Sequence, residues 1–213
     1  MNSDWTELEA IVDTVNCKGE AMQVANVKVL KNRKTGVTII RPSDLAKAEM
    51  KQLADKLSIN PRDASTLLMI YAKAGNFNEG DVFYKYHLQK MMFYLWKALE
   101  DVYADALPID SFVAAENGPV PELLNADIER FEGSGLICTK KEKTEFGEVK
   151  RITLTHKGES VAKELWCTLP DDYKKAAIKV KERIYPKTPE QVRHMVHRDF
   201  PEYRNTYVKN DIE

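Results

Sequence analysis

The chain has little of what usually marks a specialised protein. It has three cysteines in 213 residues, Cys17, Cys138 and Cys167, with no two close together. That excludes a disulfide framework and a zinc-finger spacing and leaves buried, reduced thiols as the expectation. It has no excess of one charge: 32 Lys and Arg against 33 Asp and Glu give a net charge of -1. A globally basic nucleic-acid coat and a polybasic membrane anchor are thereby excluded, and any such contact must be local. The longest strictly apolar run, Met91 to Trp96, is far short of the roughly 20 residues of a membrane span. The acidic start MNSDWTELE is no signal peptide, so a cytoplasmic protein without a membrane partner is expected. A Gly-rich phosphate loop, an HExxH pair, a GxSxG elbow and a CxxC are all missing, and the expectation is a non-enzymatic protein without cofactor.

What the chain does have is 43% apolar and 31% charged residues, enough for a core in one large domain or one domain with an appendage. Asp4 to Val15 places Trp5, Leu8, Ile11, Val12 and Val15 at helical spacing and predicts a short amphipathic helix. Val24 to Pro42 alternates on either side of Asn32-Arg33-Lys34-Thr35-Gly36 and predicts a hairpin. Its cations Lys28, Lys31, Arg33, Lys34 and Arg41 have no acid among them. Asp44 to Leu57, after a Ser43-Asp44 cap, and Pro61 to Gly75 predict a helical pair. The stretch QLADKLSINPRDASTLL has the rhythm of a DNA-reading helix-turn-helix, yet Leu67 to Ala72 are apolar over most of the helix circumference, which suits burial. Asp81 to Tyr103 carries the longest helical series, Leu88, Met91, Met92, Leu95, Trp96, Leu99 and Val102, and should be the spine of the core.

From Leu107 to Leu169 the elements follow a definite order. Asp110 caps a short helix, Ser111 to Glu116, which stops at Asn117-Gly118; Pro119 and Pro121 launch a second helix with Leu124, Ile128 and Phe131 on one face. Residues 136 to 154 read as strand, polar turn around Thr144 to Glu148 and returning strand, and Thr155 caps a closing helix, Lys157 to Trp166. Helix, turn, helix, two-stranded wing, helix is the plan of a winged helix. In Asp171 to Lys187, Tyr173, Ala177, Val180 and Ile184 should point inward and the lysines outward.

The phrases LQKMMFYLW (Leu88 to Trp96), ENGPVPELLNADIERFEGSGLI (Glu116 to Ile137) and LTHKGESVAKEL (Leu154 to Leu165) resemble winged-helix proteins of the YwgA-like and Panacea (SocA-like antitoxin) groups. The tail from Thr188 to Tyr203 is similar to the ending of the Panacea domain, with His197 and Pro201 in matching places, whereas no tryptophan follows that proline and the wing is distinct. The resemblance spans roughly the C-terminal two-thirds of the chain and implies a winged helix with a regulatory or antitoxin-like role. The expected fold is mainly α (α+β), a winged helix-turn-helix core with a long central helix, flanking helices and an N-terminal β-hairpin. The expected divisions are 1–42 (helix and hairpin appendage), 43–80 (helical pair), 81–169 (winged-helix domain) and 170–213 (helical tail).

Charge separates the functional readings. Between Pro119 and Glu132 the helix has one cation, Arg130, against Glu122, Asp127, Glu129 and Glu132, a poor complement to phosphate. The wing has Lys140, Lys141, Lys143, Lys150 and Arg151 against Glu142, Glu145 and Glu148. The expected nucleic-acid contacts are therefore Lys140, Lys141, Lys143, Lys150 and Arg151 of the wing with Arg33 and Lys34 of the hairpin, meeting DNA backbone. The alternative is a protein-binding adaptor or antitoxin-like protein whose acidic helix meets a basic partner. A homodimer is the expected assembly, by analogy with other winged helices. His194 and His197 share a helix face and Glu190 lies four before His194, but the four histidines of the chain supply no third close partner and Arg193 and Arg198 disfavour a dication, so no metal is expected.

Overall fold

The computed structural model describes residues 4–15, 19–57, 59, 61–74, 81–82, 85–103, 112–115, 117–144 and 147–203. The first of these segments corrects the sequence reading: β1 (Trp5–Val15) is a strand, paired antiparallel with β2 (Ala21–Asn32). Its apolar residues fit helical spacing, but Thr6, Leu8, Ala10, Val12 and Thr14 also alternate. Pairing sets Leu8, Ala10 and Val12 opposite Val29, Val27 and Val24, and this cross-strand surface outweighs the local period. A bulge lies between Ala10 and Val12, and β2 absorbs it at Asn26, whose φ of 58° is a left-handed conformation that asparagine tolerates. The expected hairpin forms: β3 (Thr38–Ile40) returns along Val29 to Lys31, giving the order β1-β2-β3.

Helix α1 (Pro42–Lys56) covers this sheet, with Ala48 against Val24, Val27 and Val29. Its N-cap is Arg41 with proline in the first turn, and no side chain caps it, so Ser43 and Asp44 lie inside the helix. The Gln52 amide donates to Gln23 O (3.0 Å) and accepts from Ala25 N (3.3 Å), occupying backbone groups beside the bulge. Helix α2 (Pro61–Tyr71) is buried around most of its circumference from Asp63 to Ile70, as its composition requires. Next comes β4 (Asp81–Val82), then α3 (Lys85–Tyr103), so the long helix starts four residues later than its period suggests because Asp81 and Val82 pair with Thr153 and Ile152.

A second correction falls before the next helix. The segment expected to be a helix from Ser111 to Glu116 is instead β5 (Phe112–Val113), paired with β6 (Val120–Pro121); Asp110, Ser111 and Glu116 lie outside the described residues. Phe112 stacks on Trp96 at 5.3 Å and meets Phe93 edge-on at 5.2 Å, a site that an extended backbone reaches. The prolines therefore belong to a strand and turn, and α4 (Leu124–Gly133) begins after them, with Leu124, Ile128 and Phe131 buried as expected.

Strands β7 (Ile137–Thr144) and β8 (Gly147–Leu154) form the anticipated ribbon, and with β4 they make a sheet of order β4-β8-β7. Helices α5 (His156–Thr168), α6 (Asp171–Ile184) and α7 (Pro189–Asp199) follow. Thr155 caps α5 by accepting from Gly158 N, and Thr188 with Gln191 forms a capping box on α7. The principal core runs through α2, α3, α4, α5, α6 and α7, while the Val24 cluster is a smaller one on its own. The architecture is α+β. Cys138 and Cys167 are only partly buried, and Cys17 lies outside the described residues. Among the described residues no helix is long and apolar enough to cross a membrane.

Candidate macromolecule-binding surface

The ribbon is held at its base by contacts that the sequence requires. Gly135 has φ of 70° and turns the chain out of α4, with Leu136 N donating to Phe131 O at 2.8 Å. Thr155 N donates to Leu136 O (3.0 Å), and Thr155 Oγ1 donates to Gly135 O (2.6 Å). Gly158 lies so close that a Cβ there would stand 1.9 Å from Leu136 O, so only glycine lets α5 rest on the strand's start.

Register then sorts the ribbon cations. Lys140 faces Arg151, and Lys141 faces Lys150, so Lys140 and Arg151 share one face while Lys141, Lys143 and Lys150 share the other. Two of the five are neutralised across the strands: Lys141 pairs with Glu148 at 2.7 Å and Arg151 with Glu142 at 3.2 Å. The hydrogen bond to Glu148, and then its charge, raise the Lys141 pKa. Lys140, Lys143 and Lys150 are exposed without an ion pair among the described residues. Lys85, at the start of α3, is half-buried; burial and then Lys150 lower its pKa, while Glu129 acts the other way.

The hairpin cations do not join this group. Arg33 Nε donates to Thr6 Oγ1, and Lys34 Nζ sits 3.0 Å from Asp4 Oδ2, so both are drawn to the start of β1. Their sheet packs chiefly on α1, whereas the ribbon rests on α2, α4 and α5. Of the seven expected contact residues, five lie on one ribbon, divided between its two faces, and Arg33 and Lys34 lie at the turn of the other sheet.

Beside the ribbon, α4 turns carboxylates to solvent. Its one cation, Arg130, bonds both oxygens of Asp63 (3.0 and 2.6 Å) and Asp127 Oδ1 (2.6 Å), and both carboxylates are only 3% exposed. Burial works against the charged guanidinium, but Asp63 and Asp127 outweigh it and its pKa is raised. Glu122, Leu123, Asn125, Ala126, Glu129 and Glu132 form the exposed side, Leu123 at 42%, with Glu132 accepting from Thr139 Oγ1 at 2.6 Å. The acidic excess is legible in the sequence, but not that the single cation, itself half exposed, is held by two buried carboxylates.

Two buried lysines also escaped sequence reasoning. Lys90 Nζ donates to Pro119 O (2.7 Å) and lies 4.9 Å from the Tyr86 ring centre; burial alone lowers its pKa to about 7. It fastens the turn before α4 to α3, where Gly118 (φ 85°) packs on Val196 and Tyr86 Oη donates to Asn117 O at 3.2 Å. Lys181, expected to face outward with its neighbours, is instead fully buried and donates to Ile70 O (2.6 Å) near the C-terminus of α2. A cation within a buried stripe was the available sign in both cases. His194 is exposed and lies 3.7 Å from Glu190, and among the described residues no three metal-ligating side chains converge.

Compared with protein-family models and with curated proteins, the chain matches no family model and no curated sequence.

Proposed function

We propose that residues 61–169 form a winged-helix module with a regulatory, non-enzymatic role, and that it works as an adaptor gripping a protein partner through the acidic outer side of α4. The order α2, β4, α3, α4, β7, β8, with the sheet order β4-β8-β7, supports the winged-helix assignment, because the first strand of such a module pairs beside the returning wing strand. On that assignment the helix-turn-helix is α3 and α4, interrupted by the β5–β6 hairpin, and the module begins at α2 rather than at residue 81. The observation that carries the adaptor reading is Arg130. The helix that would enter a DNA groove holds its one cation against Asp63 and Asp127 and presents Glu129 and Glu132, with Glu122 in the turn before it. Phosphate repels these carboxylates and a basic protein surface attracts them.

A photo-crosslinker at Asn125 tests this in the native host. The expected product is one protein at near-stoichiometric yield, lost in a Glu122→Lys/Glu129→Lys variant. Crosslinking to nucleic acid, or a yield indifferent to charge reversal, overturns the reading.

A second reading has its own support. Among the described residues Lys140, Lys143 and Lys150 are cations without ion pairs, and a nucleic-acid backbone on the wing would neutralise them. Three phosphate contacts would give a log-log salt slope of about -2.7. A gel-shift series without retardation at low salt removes it. Arg33 and Lys34 contribute little to either reading, since Thr6 and Asp4 hold them.

A further inference from the structure

The N-terminal sheet ends on an open edge. β1 is 11 residues long and pairs only on one side, with β2. In an antiparallel pair every second residue turns its N–H and C=O away from the partner, and among the described residues these outward groups of β1 meet nothing. Six of the eight large hydrophobic side chains exposed on the described surface belong to this sheet and its turn: Leu8, Ile11, Val15, Val37, Ile39 and Ile40. Val37, Ile39 and Ile40 lie at the β3 side of the sheet, whereas Leu8, Ile11 and Val15 lie on β1 itself, and a free edge of this length that carries exposed apolar side chains is a template for another strand.

The charge pattern selects which strand. The side of β1 that carries Thr6, Leu8, Ala10, Val12 and Thr14 is uncharged, and the other carries Glu7, Glu9 and Asp13 with no cation. Lys28 pairs with Glu7 at 3.0 Å and Gln23 donates to Asp13 at 2.9 Å, while Glu9, opposite Lys28 and in a pocket also lined by Lys47 and Lys51, makes no ion pair among the described residues. A second copy is a poor occupant. Antiparallel pairing of β1 with itself about a two-fold axis must set odd residues opposite odd ones, because opposed residues share a face. Any such register engaging more than seven residues of Trp5–Val15 then opposes Glu9 to Glu9, Glu7 to Asp13 or Glu9 to Asp13, and directly opposed like charges destabilise a pair.

We propose that the free edge of β1 is a strand-addition site for an extended segment of another protein that alternates Lys or Arg with apolar residues. Main-chain hydrogen bonds to β1 would supply the affinity. Cations beside Glu7, Glu9 and Asp13, and apolar side chains beside Leu8 and Val12, would supply the selection. The site shares no residue with the α4 surface and does not rest on it.

The test uses the full chain and a capped peptide of about nine residues alternating Lys and Val, with amide hydrogen exchange as the readout. The expected result is slowed exchange within Trp5–Val15, with affinity falling as salt rises. The same peptide N-methylated at alternate residues keeps its charge but cannot extend a sheet, and should bind at least about tenfold more weakly. A Glu-Val peptide should not bind. Glu9→Lys/Asp13→Lys, at exposed positions, should also cost at least about tenfold while the melting temperature stays put. Equal binding of the N-methylated peptide, protection confined to α4, no protection at all, or β1 amides already protected in a dimer without peptide would each overturn the proposal. Glu129→Lys leaves the peptide result unchanged, so failure of the α4 reading is visible separately.

Discussion

Two antiparallel ribbons of similar construction, β1–β2 and β7–β8, meet the rest of the protein in different ways. The C-terminal ribbon is clamped at its base by Thr155, Leu136 and the close approach of Gly158, and Ile137 and Ile152 continue into the main core. The N-terminal ribbon lies on one helix through a small cluster of Val24, Val27, Val29 and Ala48. All the buried polar and charged residues among those described, Asp63, Ser65, Thr66, His87, Lys90, Asp127 and Lys181, belong to the first region and none to the second. A ribbon's cross-strand pairs are local, but its rigidity and the fate of its charges depend on what it stands on.

The contrast can be broken most forcefully at Leu124, 1% exposed on the face of α4 that enters the main core. Leu124→Asp should cost about 4 kcal/mol or more and unfold the region α2 to α7 as a unit, seen as loss of the thermal transition. The matching change in the other cluster, Val27→Asp, should cost less, about 2–3 kcal/mol. Its effect should be local, with exchange accelerating in β1, β2 and β3 while α2 to α5 keep their protection. A global collapse on Val27→Asp would mean that the two regions fold as one.

Lys90 gives an effect that is read as a slope with pH rather than as a single loss. Its pKa is lowered to about 7 by burial, whereas in the unfolded chain it stands near 10.4. Between these values the unfolded state binds more protons, so stability should climb with pH from about 7 to about 10, at a slope approaching 1.4 kcal/mol per pH unit, and be insensitive to this group below that window. Lys90→Met should abolish the slope in urea titrations across the range, and a slope unchanged in the variant would place the titration elsewhere. The smallest effect belongs to the ribbon surface. Lys150→Glu, at an exposed position without an ion pair among the described residues, should change stability by less than about 0.5 kcal/mol, and its melting curve should overlay that of the parent.

The legible part of the fold was the part governed by near neighbours in sequence. The cap at Thr155 and the inward face of α6 follow from local chemistry, as does the turn at Gly118. Elements whose partners are remote were misread. Trp5, Leu8, Ile11, Val12 and Val15 satisfy a helical period, and only the valines of β2 decide that the alternating set is used. Phe112 is extended because Trp96 and Phe93 wait for its ring. The candidate surface divides in the same way. Counting charges located the acidic helix and the basic ribbon, but it could not assign Arg130 to Asp63, 67 residues away, or separate Arg33 and Lys34 from the ribbon lysines.

By itself, then, the sequence determined where most helices begin and end and that a two-stranded ribbon follows α4, because periodicity, caps and glycine turns act over a few residues. The tertiary structure alone decided that β1 is a strand with an open edge, that Lys90 and Lys181 are interior, and which cations remain for a partner. Those outcomes depend on burial and on opposite charges brought within a few ångströms across the chain, and a linear pattern carries neither quantity.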